Sequence, residues 1–501
     1  MLVGPKRSAR ASERRAWRRR NLRGAARGGY LPPALESSCA YVCGPNHALR
    51  DDVSVDSLSL ASTSRSGAAD RTSAADELGS VGTAAELALD THFQPIAAVR
   101  RGDVVGVEAL TRGRRADGEL VTPAALFTAA ARAGRSMDLD RECRRVALRR
   151  FAPLHEADRT LVCFVNCHVA TFLADVDGPH AWTALAAASD VDRRALALEV
   201  LESEAADLGA LAAATARYRA DGFLVVIDDV GAGHSNLDRI AAVHPDMLKA
   251  DRSLVRGCAH DRVKRAVLRA LVGLTEELGG WLVVEGVEDE ADALTVLDLG
   301  ADLVQGYHIA RPAAIPTTAG LDEPRRRVVA LAGRHRAATR ERVLQARGSR
   351  ARRAEFARGV SARLARLDAA SWEQALCIAL ADAPGDPNAA SAVVLDDAGR
   401  QLTPTVRQRG YDAPERALIF RAPDVGADHT LKEYVYLLPD AAGATYETTP
   451  YVPLPNETIC VTVSTAFADP DGARRLLCLH LDADLPDGPI DSGPPADSLG
   501  R

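Results

Sequence analysis

Seven short apolar runs between residues 104 and 305 end in a side chain able to hold an ion or orient a phosphate. Glu108 closes VVGVE, Asn166 closes LVCFVN, Glu199 follows ALAL, and Asp228 and Asp229 close FLVVIDD. Lys249 follows DML, Glu285 closes LVVE, and Gln305 closes DLVQ. Five carboxylates converging from strand ends repel one another strongly unless cations sit between them. Oxygen donors with one amide and no convergent thiolate or imidazole pair select Mg²⁺ or Mn²⁺ over zinc or copper. Adjacent carboxylates such as Asp228 and Asp229 can bridge and flank two ions, the usual device for in-line attack on a phosphodiester. Any one of these acids alone reads better as a helix cap or a solvated loop end. Seven strand ends in succession do not.

Such residues meet only if the strands run together. Phe93 to Val99 and Val104 to Leu110 are separated by Arg100-Arg101-Gly102-Asp103, so short a link that it makes an antiparallel hairpin. Apolar runs then recur at 161–165, 195–200, 223–227, 247–248, 282–284 and 303–304, with helical patterns at 123–133, 138–151, 204–220, 261–278 and 289–299. That alternation predicts βα units closing into a modified (βα)8 TIM-type barrel with an antiparallel first strand, whose strand ends share one rim. Residues 316–370, rich in Arg and Ala, read as a helical linker. Residues 371–485 change to strand and turn texture, with Ile459 to Thr465 facing Leu476 to Leu481 across Asp469-Pro470-Asp471-Gly472, a smaller α+β domain. Residues 486–501 read as a flexible tail and 1–83 as a disordered Arg/Ser/Ala-rich extension or an untranslated stretch.

The chain carries 62 basic and 68 acidic residues, a formal net charge of -6. Ten of the basic residues lie in the first thirty positions beside Glu13, and setting these aside leaves 52 basic against 67 acidic. So acidic a body is unsuited to tracking a long nucleic acid. Nine scattered cysteines without a CxxC pair suit a reduced, cytoplasmic protein. There is no secretory leader pattern and no apolar run long enough to span a membrane.

The segment 84–315 resembles the EAL family of cyclic di-GMP phosphodiesterases, named for the tripeptide present here as Glu108-Ala109-Leu110. Its motifs stand in family order: FQPI at 93, VEALTR at 107, FVN at 164, EVLES at 199, IDDVGAGHSNL at 227, LKAD at 248, VEGVE at 284 and VQGYHIARP at 304. The resemblance implies hydrolysis of cyclic di-GMP to linear pGpG with two divalent cations, Mg²⁺ or Mn²⁺. It implies that Glu108, Asn166, Glu199 and Asp228 hold the first ion, and Asp228 and Asp229 the second, with Glu285 acting beside it as ligand or base. Lys249 would orient water or steady phosphate. Gln94, Arg112 and Gln305 would line the dinucleotide pocket. Glu202, Asp251 and Glu288 would support the loops. A homodimer is the expected form.

Departures fall around this set rather than in it. Val230, His234 and Asn236 replace the family's usual Phe, Tyr and Ser, and His168 stands at a common Ser position; neither histidine is needed as a ligand. A protonated His234 would pair with Glu202 and make the loop sensitive to pH; the alternative, favoured on general grounds, is a solvent-facing histidine without effect. If the altered loop slows turnover, the alternative is a catalytically weak cyclic di-GMP receptor or protein-interaction scaffold. The segment 371–485 resembles PAS-like or Cache-like sensory domains and would receive an unknown small-molecule or protein signal.

Overall fold

Every barrel strand but the first is built on the same two-residue rule. The side chain two positions before a rim residue is apolar or absent: Phe164 precedes Asn166, Ala197 precedes Glu199, Val226 precedes Asp228, and Met247 precedes Lys249. Because side chains alternate between strand faces, the rim residues and this apolar set share the barrel interior, one layer above the other. The lower layer is a buried cluster of Ile96, Phe164, Ala197, Val226, Met247, Val283 and Leu303. Gly106 completes the pattern below Glu108. A Cβ there would lie 2.8 Å from the Phe164 ring, which takes up that space instead.

A computed structural model describes residues 88–115, 118–178, 180–201, 207–232, 237–381, 389–408, 424–441, 443–451 and 459–483. Strands β1 (Ala88–Ala98), β2 (Asp103–Arg114), β4 (Val162–Cys167), β5 (Leu196–Leu201), β6 (Leu224–Val230), β7 (Met247–Ala250), β8 (Trp281–Val284) and β9 (Leu303–Gln305) form a closed ring. The two-residue β3 (Leu120–Val121) is a side attachment to β2. β1 is antiparallel to both neighbours, pairing Gln94 with Glu108 on one side and Ile96 with Gln305 on the other. From β2 to β9 the pairings within the ring are parallel. The fold is therefore the barrel with an antiparallel first strand that the apolar runs predict.

The helices form where the 3.6-residue pattern places them: Pro123–Arg132, Ser136–Ala157, Leu208–Asp221, Arg262–Leu278 and Glu290–Leu299. Their limits follow local chemistry. Asp261 accepts from the Val263 and Lys264 amides at the start of Arg262–Leu278, and Gly279 ends that helix in the left-handed conformation. The short helices Val169–Ala174, Trp182–Ala188 and Leu237–Val243 lacked enough turns to show a period in the sequence.

The chain divides into two compact units, 1–333 and 334–501. A single helix, Asp322–Leu364, begins in the first and ends in the second. Leu321, Val328, Leu331 and Ala332 are buried in the barrel's outer core, so packing of that unit continues past residue 315. The three larger side chains are each worth about 1.5–3 kcal/mol of burial, together comparable to the roughly 5–15 kcal/mol that holds a domain folded. A fragment of residues 84–320 should therefore fail to show a cooperative thermal transition, whereas 84–336 should show one. Equal melting temperatures for the two fragments would remove this helix turn from the barrel's core.

The second unit is an antiparallel sheet in the order β11-β10-β14-β13-β12. Its strands are β10 (Ala389–Asp396), β11 (Val406–Arg407), β12 (Thr445–Glu447), β13 (Cys460–Ala468) and β14 (Arg474–Asp482). The expected pairing of β13 with β14 is present, with Val461 opposite Leu481 and Thr465 opposite Leu477. Helix Trp372–Ala381 covers one face through Trp372, Leu376 and Leu380. Residues 1–83, 486–501, Glu202 and His234 lie outside the described residues, as do the expectations attached to them.

Candidate active site

Lys249 is 1% exposed at the end of β7, inside a ring of acids. Its Nζ lies 2.7 Å from Glu199, 3.4 Å from Asp228 and 3.5 Å from Glu108, and also contacts Glu285. A chain of amides closes the other side. Asn166 donates to Glu108 Oε1 at 3.0 Å, and Gln305 donates to Glu108 Oε2 at 2.6 Å and to Gln94 Oε1 at 3.1 Å. Gln94 in turn donates to the Ala310 carbonyl at 3.2 Å. Every strand of the ring except β1 places its polar end in or beside this cluster, and β1 contributes Gln94 through its pairing with β2.

Asp228 and Asp229 pose a problem of geometry, because neighbours in a strand point to opposite faces. The register of β6 against β7 shifts between Ile227 and Val230, and Asp229 has φ 57. A bulge of this kind re-aims side chains. It lets carboxylate oxygens of Asp228, Asp229 and Glu285 lie within 4.8 Å of one another. A left-handed conformation costs a residue other than glycine about 1–3 kcal/mol and persists where surrounding structure enforces it, often at functional sites.

One buried ammonium does not balance five carboxylates, and their proton affinities express the deficit. Burial and the neighbouring Asp228 and Glu108 push Glu285 up to about 8 against the pull of Lys249. Burial, with Asp228 and Asp251 beside it, raises Asp229 to about 6. Burial raises Glu199 well above the carboxylate range despite Lys249, with Glu108 and Asp228 adding repulsion. Asp228 is raised likewise. Glu108 moves the other way, because Lys249, Gln305 and Asn166 outweigh the effect of its burial. Among the described residues neither buried Glu199 oxygen has a hydrogen-bond donor, although one lies near Lys249, so that contact is an ion pair without hydrogen-bond geometry. Buried acceptors lacking donors, among oxygens only, fit hard divalent cations.

The remaining expected residues divide. Asp251 caps helix Arg252–Val255 by accepting from the Ser253 amide at 2.9 Å. Arg112 lies on β2 four residues beyond Glu108, about 13 Å further along the strand, and donates to the Thr111 carbonyl. Glu288 is exposed and makes no hydrogen bond or ion pair among the described residues. His168 caps helix Val169–Ala174, its Nδ1 accepting from the Ala170 amide at 3.3 Å.

Sequence reasoning missed what stands behind Asn166. Buried Arg144 contacts Asp140 at 2.5 Å, Thr171 at 2.6 Å and Asp175 at 3.3 Å, while Asp140 accepts from the His168 amide. This network holds the turn that follows β4. Its sequence signal was Asp140 and Arg144 four apart on an otherwise apolar helix face. Also missed was Gly306. A Cβ there would lie 2.1 Å from the Val287 carbonyl oxygen and 2.4 Å from its nitrogen. Gly306→Ala should therefore push the loops after β8 and β9 apart, moving Glu285 and Gln305. A lowered melting temperature with an unchanged far-ultraviolet circular dichroism spectrum is expected; an unchanged melting temperature would mean that the loops relax freely.

Residues 84–312 match the family model of the EAL domain. That segment is an EAL domain. Among curated relatives, the uncharacterized protein Rv1354c of Mycobacterium tuberculosis is 28% identical over 236 residues, covering 45% of this chain and 36% of that protein. MucR of Pseudomonas aeruginosa, a bifunctional diguanylate cyclase/cyclic di-GMP phosphodiesterase by name, is 30% identical over 232 residues, covering 44% of this chain and 32% of that protein. The chain thus spans about a third of the length of these relatives. The Bacillus subtilis YkuI protein, solved with substrate c-di-GMP and calcium, aligns with TM-score 0.62 at 20% identity, covering 79% of this chain and 97% of that one. That likeness concerns the fold. No helix among the described residues is long and apolar enough to cross a membrane.

Proposed function

We propose that the EAL domain hydrolyses cyclic di-GMP to linear pGpG by in-line attack of water on one phosphodiester. The observation that carries this reading is the convergence of Glu108, Glu199, Asp228, Asp229 and Glu285 around one buried lysine at a single rim. Two divalent cations, Mg²⁺ or Mn²⁺, held by these acids and Asn166, would supply the positive charge that activates water and steadies the phosphate. Lys249 orients the carboxylates and faces the phosphate as a fixed cation. Glu285, at the mouth, accepts the proton of the attacking water. Gln94, Gln305 and Arg112 contact the dinucleotide, with Asp251, Glu202 and Glu288 supporting the surrounding loops.

In the same reading the protein is a cytoplasmic homodimer in which residues 84–315 are the catalytic barrel, 316–370 a helical linker and 371–485 a PAS-like or Cache-like regulatory unit. Incubation of the full chain with cyclic di-GMP and Mg²⁺ or Mn²⁺, followed by chromatography of the nucleotides, tests the central claim. Linear dinucleotide that disappears with a chelator is the expected product. Tight binding without any product would instead make the barrel a receptor.

A further inference from the structure

Asp229 and Glu285 reach one point from strands that lie on either side of β7, and both loops turn through positive φ as they do so. Asp229 has φ 57, and a glycine follows each acid in the same region, Gly231 at 99 and Gly286 at 66. β6 and β8 do not pair with each other; each pairs with β7. The element between the two loops is therefore the chain that leaves β7.

That chain is the four-residue helix Arg252–Val255, begun by Asp251 two residues after Lys249. The strand ladders run on into it. The Asp251 amide donates to the Val230 carbonyl at 3.1 Å, and the Glu285 amide to the Ala250 carbonyl at 3.1 Å. The helix then meets both loops where only glycine leaves room. A Cβ on Gly231 would lie 2.3 Å from Leu254 Cδ1, and one on Gly286 would lie 2.2 Å from Arg252 Cβ. In each case the helix takes the space that a side chain on the loop would need. Four residues are too few to hold a helix in water by themselves, so its rigidity comes from what anchors it. Val255 and Cys258 are 0% exposed, and buried Asp292 accepts from the Gly257 amide at 2.7 Å and from the Ala259 amide at 2.9 Å. The surface that Leu254 offers to Gly231 is thus fixed from behind.

We propose that Leu254 is a positioning residue for the second ion: seated against Gly231, it keeps the bulge of β6 closed and Asp229 in its left-handed conformation, with its carboxylate beside Asp228 and Glu285. This rests on the reading of the barrel as a two-ion phosphodiesterase. Leu254 has no group that binds an ion and supplies shape alone. Without it Asp229 is free to return to extended backbone, which alternation turns away from Asp228. Glu108, Asn166 and Glu199 stand on regularly paired strands and do not depend on this contact. Loss of Leu254 should therefore act on one ion and spare the other.

The test is Mn²⁺ titration of the full chain, with free and bound ion counted by electron paramagnetic resonance, which needs no turnover. The parent should bind two ions tightly. Leu254→Ala should keep one and bind the other about tenfold to a hundredfold more weakly, the usual effect of losing a residue that braces a metal ligand. Leu254→Val, a smaller truncation, should show the same selectivity to a lesser degree and decides the matter if Leu254→Ala does not fold. Leu271→Ala, a core truncation in helix Arg262–Leu278, should lower the melting temperature and leave both ions in place, which separates positioning from general loss of stability. Gly231→Ala should weaken the second ion too, and the double variant with Leu254→Ala should lose less than the two losses combined, because both act through one contact. The proposal is overturned by unchanged affinity for both ions in the Leu254 variants, by equal loss of the second ion in Leu271→Ala, or by additive losses in the double variant. A parent that binds fewer than two ions overturns the two-ion reading, and this role of Leu254 with it.

Discussion

Glu108→Ala is expected to abolish turnover of cyclic di-GMP. Glu108 is the acceptor for both Asn166 and Gln305 and lies 3.5 Å from Lys249, so its removal leaves two amides without their partner and subtracts an anionic donor from the ion site. Replacing residues that merely brace a metal ligand typically costs 10–100-fold, so loss of the ligand itself should exceed roughly 100-fold. Because the site is buried, Glu108→Gln serves as a companion that preserves shape and one of the two accepted hydrogen bonds while removing the charge. Both variants should also require more Mn²⁺ for half-maximal binding. Turnover within a few-fold of the parent at matched metal concentration would sink the assignment.

Lys249→Met should act first on stability. The ammonium neutralises part of a buried anionic cluster, and breaking a buried ion pair by removing one partner costs about 3–5 kcal/mol. At about 2–4 °C per kcal/mol for a domain of this size, the melting temperature in a chelator should fall by roughly 10 °C. The direction with metal distinguishes charge from shape. Added Mn²⁺ should recover much of the loss, since cations can share the neutralisation, whereas a packing defect would persist. Hydrolysis should stay impaired even in the metal-stabilised variant. An unchanged melting temperature in chelator would mean that the acids already hold enough protons to dispense with the lysine.

The legible and illegible parts of this protein differ by physical origin. The barrel could be read because each strand announces itself with an apolar run and ends in a polar residue, a pattern local to five or six positions. Glu108, Asn166, Glu199, Asp228, Lys249, Glu285 and Gln305 all stand at the rim for that reason. What could not be read depends on pairs distant in sequence. The Gln305 donation to Glu108 spans 197 residues, and the contact of Gly306 with Val287 exists only because two loops cross. Asp229 was named as a site residue, yet the register shift that turns it toward Asp228 has no sequence signature. Glu288 was named for a supporting place beside the cluster, and it stands exposed in the loop after β8.

The apolar layer beneath the rim has a bearing on traffic. With Ile96, Phe164, Val226, Met247 and Leu303 filling the lower barrel, the acids sit in a cup rather than a channel, and nothing hydrated can leave through its floor. If the proposed function holds, ions and dinucleotide share a single mouth. In the proposed reaction cations would enter before the substrate that covers them, and a bound dinucleotide should slow their escape. Stripping by a chelator should therefore be slower in the presence of a non-hydrolysable analogue of cyclic di-GMP than in its absence; equal rates would mean a second exit.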